Sequence, residues 1–173
     1  MRAIGLALLG LVAATPVLAA NVLESVTQVS YRHAGEDYVF NDNHVPLLAD
    51  NACYNWYIRV DTPNAELAVV ERFTLPEPVE WGEGASEAAE DSVIEGDGKV
   101  IVTPLPVTTD EEGWFSNGWC VVGGDPEGSH LIEVSLDGKL LASFPFEMLP
   151  VSAYNFPSPA MSESAGRSAN LTW

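Results

Sequence analysis

Basic side chains are scarce in this sequence of 173 residues, which holds seven Lys and Arg against 25 Asp and Glu. The formal net charge is −18 at neutral pH. Such a surface repels nucleic acid and anionic membranes, so neither is an expected partner. The acidic excess has two interpretations: it forms a solvated surface that keeps an exported protein soluble, or it binds cations or a basic partner.

Long apolar runs are also lacking, apart from one at the N-terminus. Arg2 precedes an apolar stretch over residues 3–12, and small residues stand before a cut after Ala19. This pattern predicts a signal peptide over residues 1–19. A membrane anchor is the alternative, but it needs about 20 apolar residues and Pro16 interrupts the run. We therefore expect a periplasmic or secreted protein without a membrane span. Loss of Arg2 leaves six basic against 25 acidic residues, a charge of −19.

Cysteine occurs only twice, at Cys53 and Cys120. In the oxidising compartment that a signal peptide implies, a single pair most simply forms one disulfide. Closing a loop of that length stabilises a fold by about 4 kcal/mol in the chain-entropy account. A catalytic thiol is the alternative, but neither cysteine has a histidine close to it in sequence.

Helical periodicity is nearly absent after the signal, and alternating apolar and polar residues dominate. The best strand runs from Cys53 to Val60, with Trp56 on its apolar face and Tyr57 on the opposite face. About seven such segments, separated by turn residues, predict an all-β, antiparallel β-sandwich with long acidic loops, of which residues 76–98 form the longest.

Proline and turn residues refine this prediction. Pro104 and Pro106 make the segment 99–107 an edge strand, because proline cannot donate to a sheet ladder. The pair Asp137-Gly138 between alternating runs predicts a two-residue hairpin. We assign the sandwich domain to residues 20–150 and expect a flexible C-terminal tail over residues 151–173, which are rich in Ser, Ala, Pro and Gly.

The closing hairpin comprises residues 125–134, Asp137-Gly138-Lys139-Leu140 and Phe144-Pro145-Phe146. It resembles the last hairpin of bacterial immunoglobulin-like and fibronectin-like domains. In those domains a Pro-x-Gly turn feeds a strand, an Asn-Gly or Asp-Gly turn follows, and the last strand ends in Phe. The chain departs from antibody-type domains because Trp56 follows Cys53 by three residues and Gly118 stands where a Tyr is usual. The resemblance implies an immunoglobulin-like fold and no particular function.

Histidine and carboxylate residues suggest one candidate metal site. His33, His44, Asp37 and Asp42 lie in one polar segment, and this composition suits Ca²⁺ or a transition metal. Their spacing matches no specific metal motif, and ordinary surface residues are the alternative. No other cofactor is expected.

Aromatic residues suggest a second candidate site. Trp81 and Trp114 lie in or beside loops, where exposed rings of exported β-sandwiches stack on sugars or on protein partners. Alternatively, these rings cover the core or hold loops against it.

No catalytic motif is present, and we predict no catalytic residues: no serine lies in a Gly-x-Ser-x-Gly context, and carboxylate pairs are too abundant to single one out. The sequence therefore predicts a non-enzymatic, exported binding or accessory protein of the envelope or extracellular space, with a carbohydrate or protein ligand. A metal-binding periplasmic protein and a hydrolase are the alternatives.

Overall fold

The computed structural model describes residues 20–79 and 92–157. Within these ranges the chain forms ten strands and one 3₁₀ turn at Gly96–Gly98. None of the described residues forms a helix long and apolar enough to cross a membrane. The strands are β1 (Val22–His33), β2 (Glu36–Phe40), β3 (His44–Pro46), β4 (Ala52–Val60), β5 (Glu66–Thr74), β6 (Val93–Glu95), β7 (Val100–Thr108), β8 (Trp114–Cys120), β9 (Gly128–Leu136) and β10 (Lys139–Leu149).

The strands form two sheets that pack face to face. One has four strands in the order β2-β1-β4-β8, and the other has six in the order β3-β10-β9-β5-β7-β6. The predicted immunoglobulin-like β-sandwich is confirmed, and its seven long strands match the predicted number. Three short strands, β2, β3 and β6, extend the sheets at their edges. The pairing of β3 with β10 is parallel, unlike the antiparallel pairing predicted throughout.

Alternation along β4 explains why the core lies between the sheets. Every second residue of this strand is buried, and Trp56 is only 1% exposed. The indole packs edge-on against Phe115 of β8 and stacks on Phe144 of β10 at a centroid distance of 5.9 Å. Tyr57 is half-buried on the outward side. The predicted opposite facing of the two rings is therefore confirmed.

Two tight hairpins use residues with positive φ. Asp137 and Gly138 have φ of 51° and 76° between β9 and β10, as the Asp-Gly pair predicts for a type I′ turn. Ala34 and Gly35 adopt φ of 51° and 85° between β1 and β2. Because alanine rarely adopts such a conformation, sequence did not predict this second hairpin.

Strand β7 was predicted to be an edge strand; it is the last but one strand of its sheet, and most of its length has no neighbour beyond it among the described residues. It pairs with β5 along its whole length, whereas β6 covers only Val100–Val102 on the other side. Pro104 and Pro106 lie opposite Val70 and Ala68. In this register their nitrogens point away from β5, so the two prolines cost the sheet no hydrogen bond.

The packed part of the chain extends beyond the predicted domain end at residue 150. Tyr154 and Phe156 meet Tyr31 of β1 edge-on, at centroid distances of 5.5 and 5.6 Å. Aromatic contacts of this kind hold the first part of the segment that the sequence assigns to a flexible tail. The predicted signal peptide and residues 158–173 lie outside the described residues.

Candidate functional site

Strand β8 begins at Trp114, a predicted ligand-binding residue, and ends at the disulfide-bonded Cys120. Among the described residues it is the last strand of the four-stranded sheet and pairs only with β4. Its alternate residues point either to solvent or toward the six-stranded sheet. We call the solvent-facing side of the four-stranded sheet the outer face. Around β8 it is formed by Asn55, Tyr57, Arg59, Trp114, Ser116 and Gly118.

Trp114, a predicted ligand-binding residue, lies at the start of β8 on the outer face and is half-buried. The guanidinium carbon of Arg59 lies 5.5 Å from the centroid of its ring, within the range of a cation–π contact. Glu24 of β1 pairs with the same guanidinium at 3.3 Å. The Trp114 amide donates to Asp110 Oδ1 at 2.8 Å. Trp114 is thus held in place while part of its ring meets solvent.

Tyr57 provides a second half-buried ring on the outer face. Its hydroxyl donates to Gln28 Oε1 at 3.4 Å, and partial burial raises its pKa. Next to it the Asn55 side chain lies over Gly118, because a Cβ on that glycine would stand 1.8 Å from Asn55 Oδ1. Gly118 therefore provides space for a polar side chain on the outer face.

The predicted disulfide is present. Cys53 and Cys120 are directly opposite each other on β4 and β8, with a Cα to Cα distance of 3.9 Å. The bond joins neighbouring strands of one sheet, unlike the bridge between sheets of antibody domains. It fastens the end of β8 to β4.

The inward side of β8 holds a buried carboxylate that the sequence analysis did not single out. Glu71 of β5 is fully buried. The indole nitrogen of Trp56 donates to Oε2, that of Trp119 donates to Oε1 at 2.9 Å, and Asn117 Nδ2 donates to Oε2 at 3.3 Å. Two of these donors belong to β8. The carboxylate thus links the open edge of one sheet to the middle of the other.

Burial governs the electrostatics of Glu71. It raises the pKa of the carboxyl above its ordinary value, while the hydrogen bonds from Trp56, Trp119 and Asn117 act in the opposite direction. A buried carboxylate is tolerated only when its oxygens are hydrogen-bonded, and here three donors meet two oxygens. The side chain is therefore suited to holding β8 in place rather than to reaching a substrate.

His130 is the buried histidine of the described residues. It lies within β9 and is only 3% exposed. Its ring stacks on Phe146 at 5.1 Å, and Nδ1 donates to the Gly128 carbonyl at 2.8 Å. Burial lowers its pKa, which favours the neutral imidazole. A general acid or base needs access to substrate, and this position provides none.

The four predicted metal-binding residues do not converge. His33 stacks on Phe156 at 3.9 Å between centroids, and Asp37 accepts a hydrogen bond from Arg32 Nε at 2.7 Å. The Arg32 guanidinium holds the pKa of Asp37 below its ordinary value. Only Asp42 and His44 meet, at 3.0 Å between Oδ1 and Nδ1.

The backbone explains this separation. Strand alternation and the hairpin at Ala34 and Gly35 direct neighbouring residues to different places. In the part of the chain that the structure describes, no three His, Cys, Asp or Glu side chains are grouped to hold a metal. Metal binding stays a prediction. Trp81, the other predicted ligand-binding residue, lies outside the described residues.

The sequence contains one indication that Glu71 is buried. Leu67, Val69 and Phe73 share its face of β5 and are all buried. A carboxylate in the middle of such an alternation indicates a buried acid that needs donors. Its partners lie 15 to 48 residues away along the chain, so sequence alone does not identify them.

Two solved structures are similar to this chain. An immunoglobulin-like protein from Pseudomonas aeruginosa aligns with 78% of this chain and 100% of its own, at 10% identity and a TM-score of 0.46. The alkylpurine DNA glycosylase AlkC of Pseudomonas fluorescens, solved bound to DNA containing an abasic site analog, aligns with 75% of this chain and 30% of its own. That alignment has 9% identity and a TM-score of 0.39. No curated protein matches the sequence.

A family match extends over most of the sandwich. Residues 25–149 match the family described as the PM0630 beta sandwich domain. The match begins within β1 and ends at the last residue of β10, and it includes both sheets and the disulfide. The chain therefore belongs to the PM0630 beta sandwich domain family.

Proposed function

We propose that this protein is an exported, non-enzymatic binding or accessory domain that meets a protein or carbohydrate ligand through the outer face around β8. Immunoglobulin-like sandwiches are usually non-catalytic, and this fold fits an accessory domain. The fold alone does not name a ligand. The choice of surface rests on the side chains of the outer face.

One observation carries the proposal. The outer face presents two half-exposed rings, Tyr57 and Trp114, among the polar side chains of Asn55, Arg59 and Ser116. Rings supply contact area at a low entropic cost, and the amide, guanidinium and hydroxyl groups supply directional hydrogen bonds. By contrast, the buried carboxylate Glu71 and the buried imidazole His130 are enclosed in the core.

Export is supported by the disulfide. Disulfides persist in oxidising compartments and are rare in the cytosol, and the Cys53–Cys120 bond is formed. With the N-terminal pattern, this points to the periplasm or the extracellular space. Intact mass of the protein recovered from its native host tests this: we expect a chain that begins at Ala20, and a chain retaining residues 1–19 in the cytoplasm contradicts export.

Binding to glycan and envelope-protein panels tests the surface. We expect Trp114→Ala to reduce binding by about tenfold, the loss that follows when a ring contact of about 1.4 kcal/mol is removed. Tyr57→Ala should act in the same direction. Leu140→Ala is the matched control, because Leu140 is an exposed apolar residue of the other sheet. A third variant, Trp81→Ala, tests whether the other predicted ligand-binding residue, which lies outside the described residues, contributes to binding.

Two results contradict the proposal in different ways. Binding that Trp114→Ala and Tyr57→Ala leave unchanged shows that the outer face is not the binding surface. A chain that binds nothing in either panel, while it hydrolyses a substrate or shows a thermal shift with a metal ion, shows that the function belongs to another class.

A further inference from the structure

The free edge of β8 exposes backbone hydrogen-bonding groups. Two hydrogen bonds lie at the ends of the β4–β8 pairing. The Val60 amide donates to the Gly113 carbonyl, and the Val121 amide donates to the Ala52 carbonyl. Because residues of an antiparallel pair bond alternately to one side and the other, Phe115, Asn117 and Trp119 bond to β4. The backbone groups of the intervening residues therefore point away from the sheet.

Three of these outward residues, Ser116, Gly118 and Cys120, form what we call the β8 edge. Ser116 and Cys120 are exposed, and Gly118 is half-buried. Among the described residues no hydrogen bond is found to their outward backbone groups. Trp114 is different, since its amide donates to Asp110 and its carbonyl accepts from Asp110. The β8 edge thus offers successive donors and acceptors at the two-residue spacing of a strand.

The other edges in the described ranges carry features that discourage pairing. Strand β2 begins with two carboxylates, β3 and β6 have only three residues each, and β7 carries two outward prolines. The parts of β1 and β10 that extend past their short neighbours each contain a register shift. Short length, charge, proline and bulges are the usual protections of edge strands. Strand β8 has seven residues with no charge and no proline.

Strand β8 is also held rigidly on its other sides. Asn117 and Trp119 donate to Glu71, and Cys120 is bonded to Cys53. Phe115 is buried in the core. A template that is already ordered loses little entropy when a second strand pairs with it.

The charge of this chain indicates which kind of strand would pair with the β8 edge. Exposed carboxylates flank β8 along the chain: Asp110, Glu111 and Glu112 come shortly before it, and Glu127 follows it before β9. The whole chain has a charge of −18, so a second copy that paired edge to edge would be repelled. An extended peptide with basic side chains would be attracted.

We propose that the β8 edge binds an extended, basic peptide segment of a partner protein by strand addition. This inference rests on the proposed binding function and names its partner class. The peptide backbone would pair with Ser116, Gly118 and Cys120. Its basic side chains would meet the exposed carboxylates that precede β8. Backbone pairing supplies affinity, and side chains on alternate positions supply specificity.

A synthetic octapeptide that alternates lysine with valine is the probe, and its glutamate counterpart is the charge control. We expect the mature, disulfide-bonded protein to bind the lysine peptide, with affinity that falls as salt is raised, and not the glutamate peptide. Hydrogen exchange on the wild-type protein should show slower exchange at the amides of Ser116, Gly118 and Cys120 when the peptide is present. This readout needs no variant.

Ser116→Pro removes one outward donor and places a ring on the edge, while no bond to β4 is lost. It should weaken binding by about tenfold or more, the size expected for one lost hydrogen bond plus a steric block. Ser116→Ala removes the same hydroxyl but keeps the amide, so the effect of the proline is measured relative to this variant. An unchanged urea midpoint shows that the proline variant is folded.

Each contrary result has its own meaning. Peptide binding that leaves the three amides unprotected and is insensitive to Ser116→Pro overturns strand addition but leaves a binding function at the outer face. Failure to bind either peptide, while a glycan or envelope protein binds through Trp114, overturns the partner class only. A wild-type dimer that Ser116→Pro converts to a monomer replaces the peptide with a second copy of the chain.

Discussion

Replacing the Glu71 carboxylate by an amide of the same shape, Glu71→Gln, is expected to destabilise the fold. The carboxylate accepts from the indoles of Trp56 and Trp119 and from the amide of Asn117. Glutamine has one acceptor oxygen, and its NH₂ group would face one of these donors. A buried donor left unpaired costs about 1–3 kcal/mol. Because the variant no longer buries a charge, we expect a net loss near the lower end of that range at neutral pH.

The penalty should depend on pH in a defined direction. Burial raises the pKa of Glu71 in the folded state, so the folded chain holds a proton more readily than the unfolded chain. The wild-type stability due to this group is therefore fully present below the ordinary Glu pKa of about 4.3 and falls as pH rises toward the higher folded pKa. Glutamine does not titrate. The difference in the free energy of unfolding between wild type and Glu71→Gln should be largest in acid. It should shrink as pH rises and become constant above the folded pKa of Glu71.

Urea unfolding followed by tryptophan fluorescence, repeated from acidic to neutral pH, measures this difference. Glu66→Gln is the matched control, because it removes the same charge from an exposed position of the same strand. If the slope of the free energy of unfolding against urea concentration is unchanged, both variants unfold from equally compact states. A Glu71→Gln protein as stable as Glu66→Gln at neutral pH refutes the hydrogen-bond argument. A penalty that grows with pH refutes the direction of the pKa shift.

Three further predictions concern packing and the disulfide. Gly118→Ala should cost about 1–3 kcal/mol in urea unfolding, because the new methyl group meets Asn55 Oδ1; an equal cost in an Asn55→Ala background contradicts this explanation. Replacing both Cys53 and Cys120 by Ser should lower the free energy of unfolding by about 4 kcal/mol, and a variant as stable as wild type refutes a stabilising role. Phe156→Ala should lower the thermal midpoint through loss of ring contacts worth about 1 kcal/mol; an unchanged midpoint shows that the segment after residue 150 adds no stability.

Local patterns predicted much of the fold. Alternation in β4 correctly placed Trp56 inside and Tyr57 outside, because successive side chains of a strand point to opposite faces. The Asp137-Gly138 hairpin needed only two adjacent residues that tolerate positive φ. The disulfide followed from the number of cysteines and the expected compartment.

The candidate sites were less predictable. The residues predicted to bind a metal are close in sequence, yet β1 and β2 direct His33 and Asp37 to different neighbours. Proximity along the chain is a weak guide to side-chain direction in strands. Glu71 could be flagged as an acid on an apolar face, but its partners on β4 and β8 could not be identified.

By itself, the sequence determined the seven long strands, the acidic surface, the closing hairpin and the cysteine pair, because each follows from neighbouring residues or from composition. Only the tertiary structure decided the order of strands, the burial of Glu71 against Trp56 and Trp119, and which edge stays open. Strand order and register depend on pairing between segments far apart in the chain and on the packing of one sheet against the other. The outward backbone groups of Ser116 and Gly118 are unpaired among the described residues because β8 is last in its sheet. No local pattern of residues predicts that position.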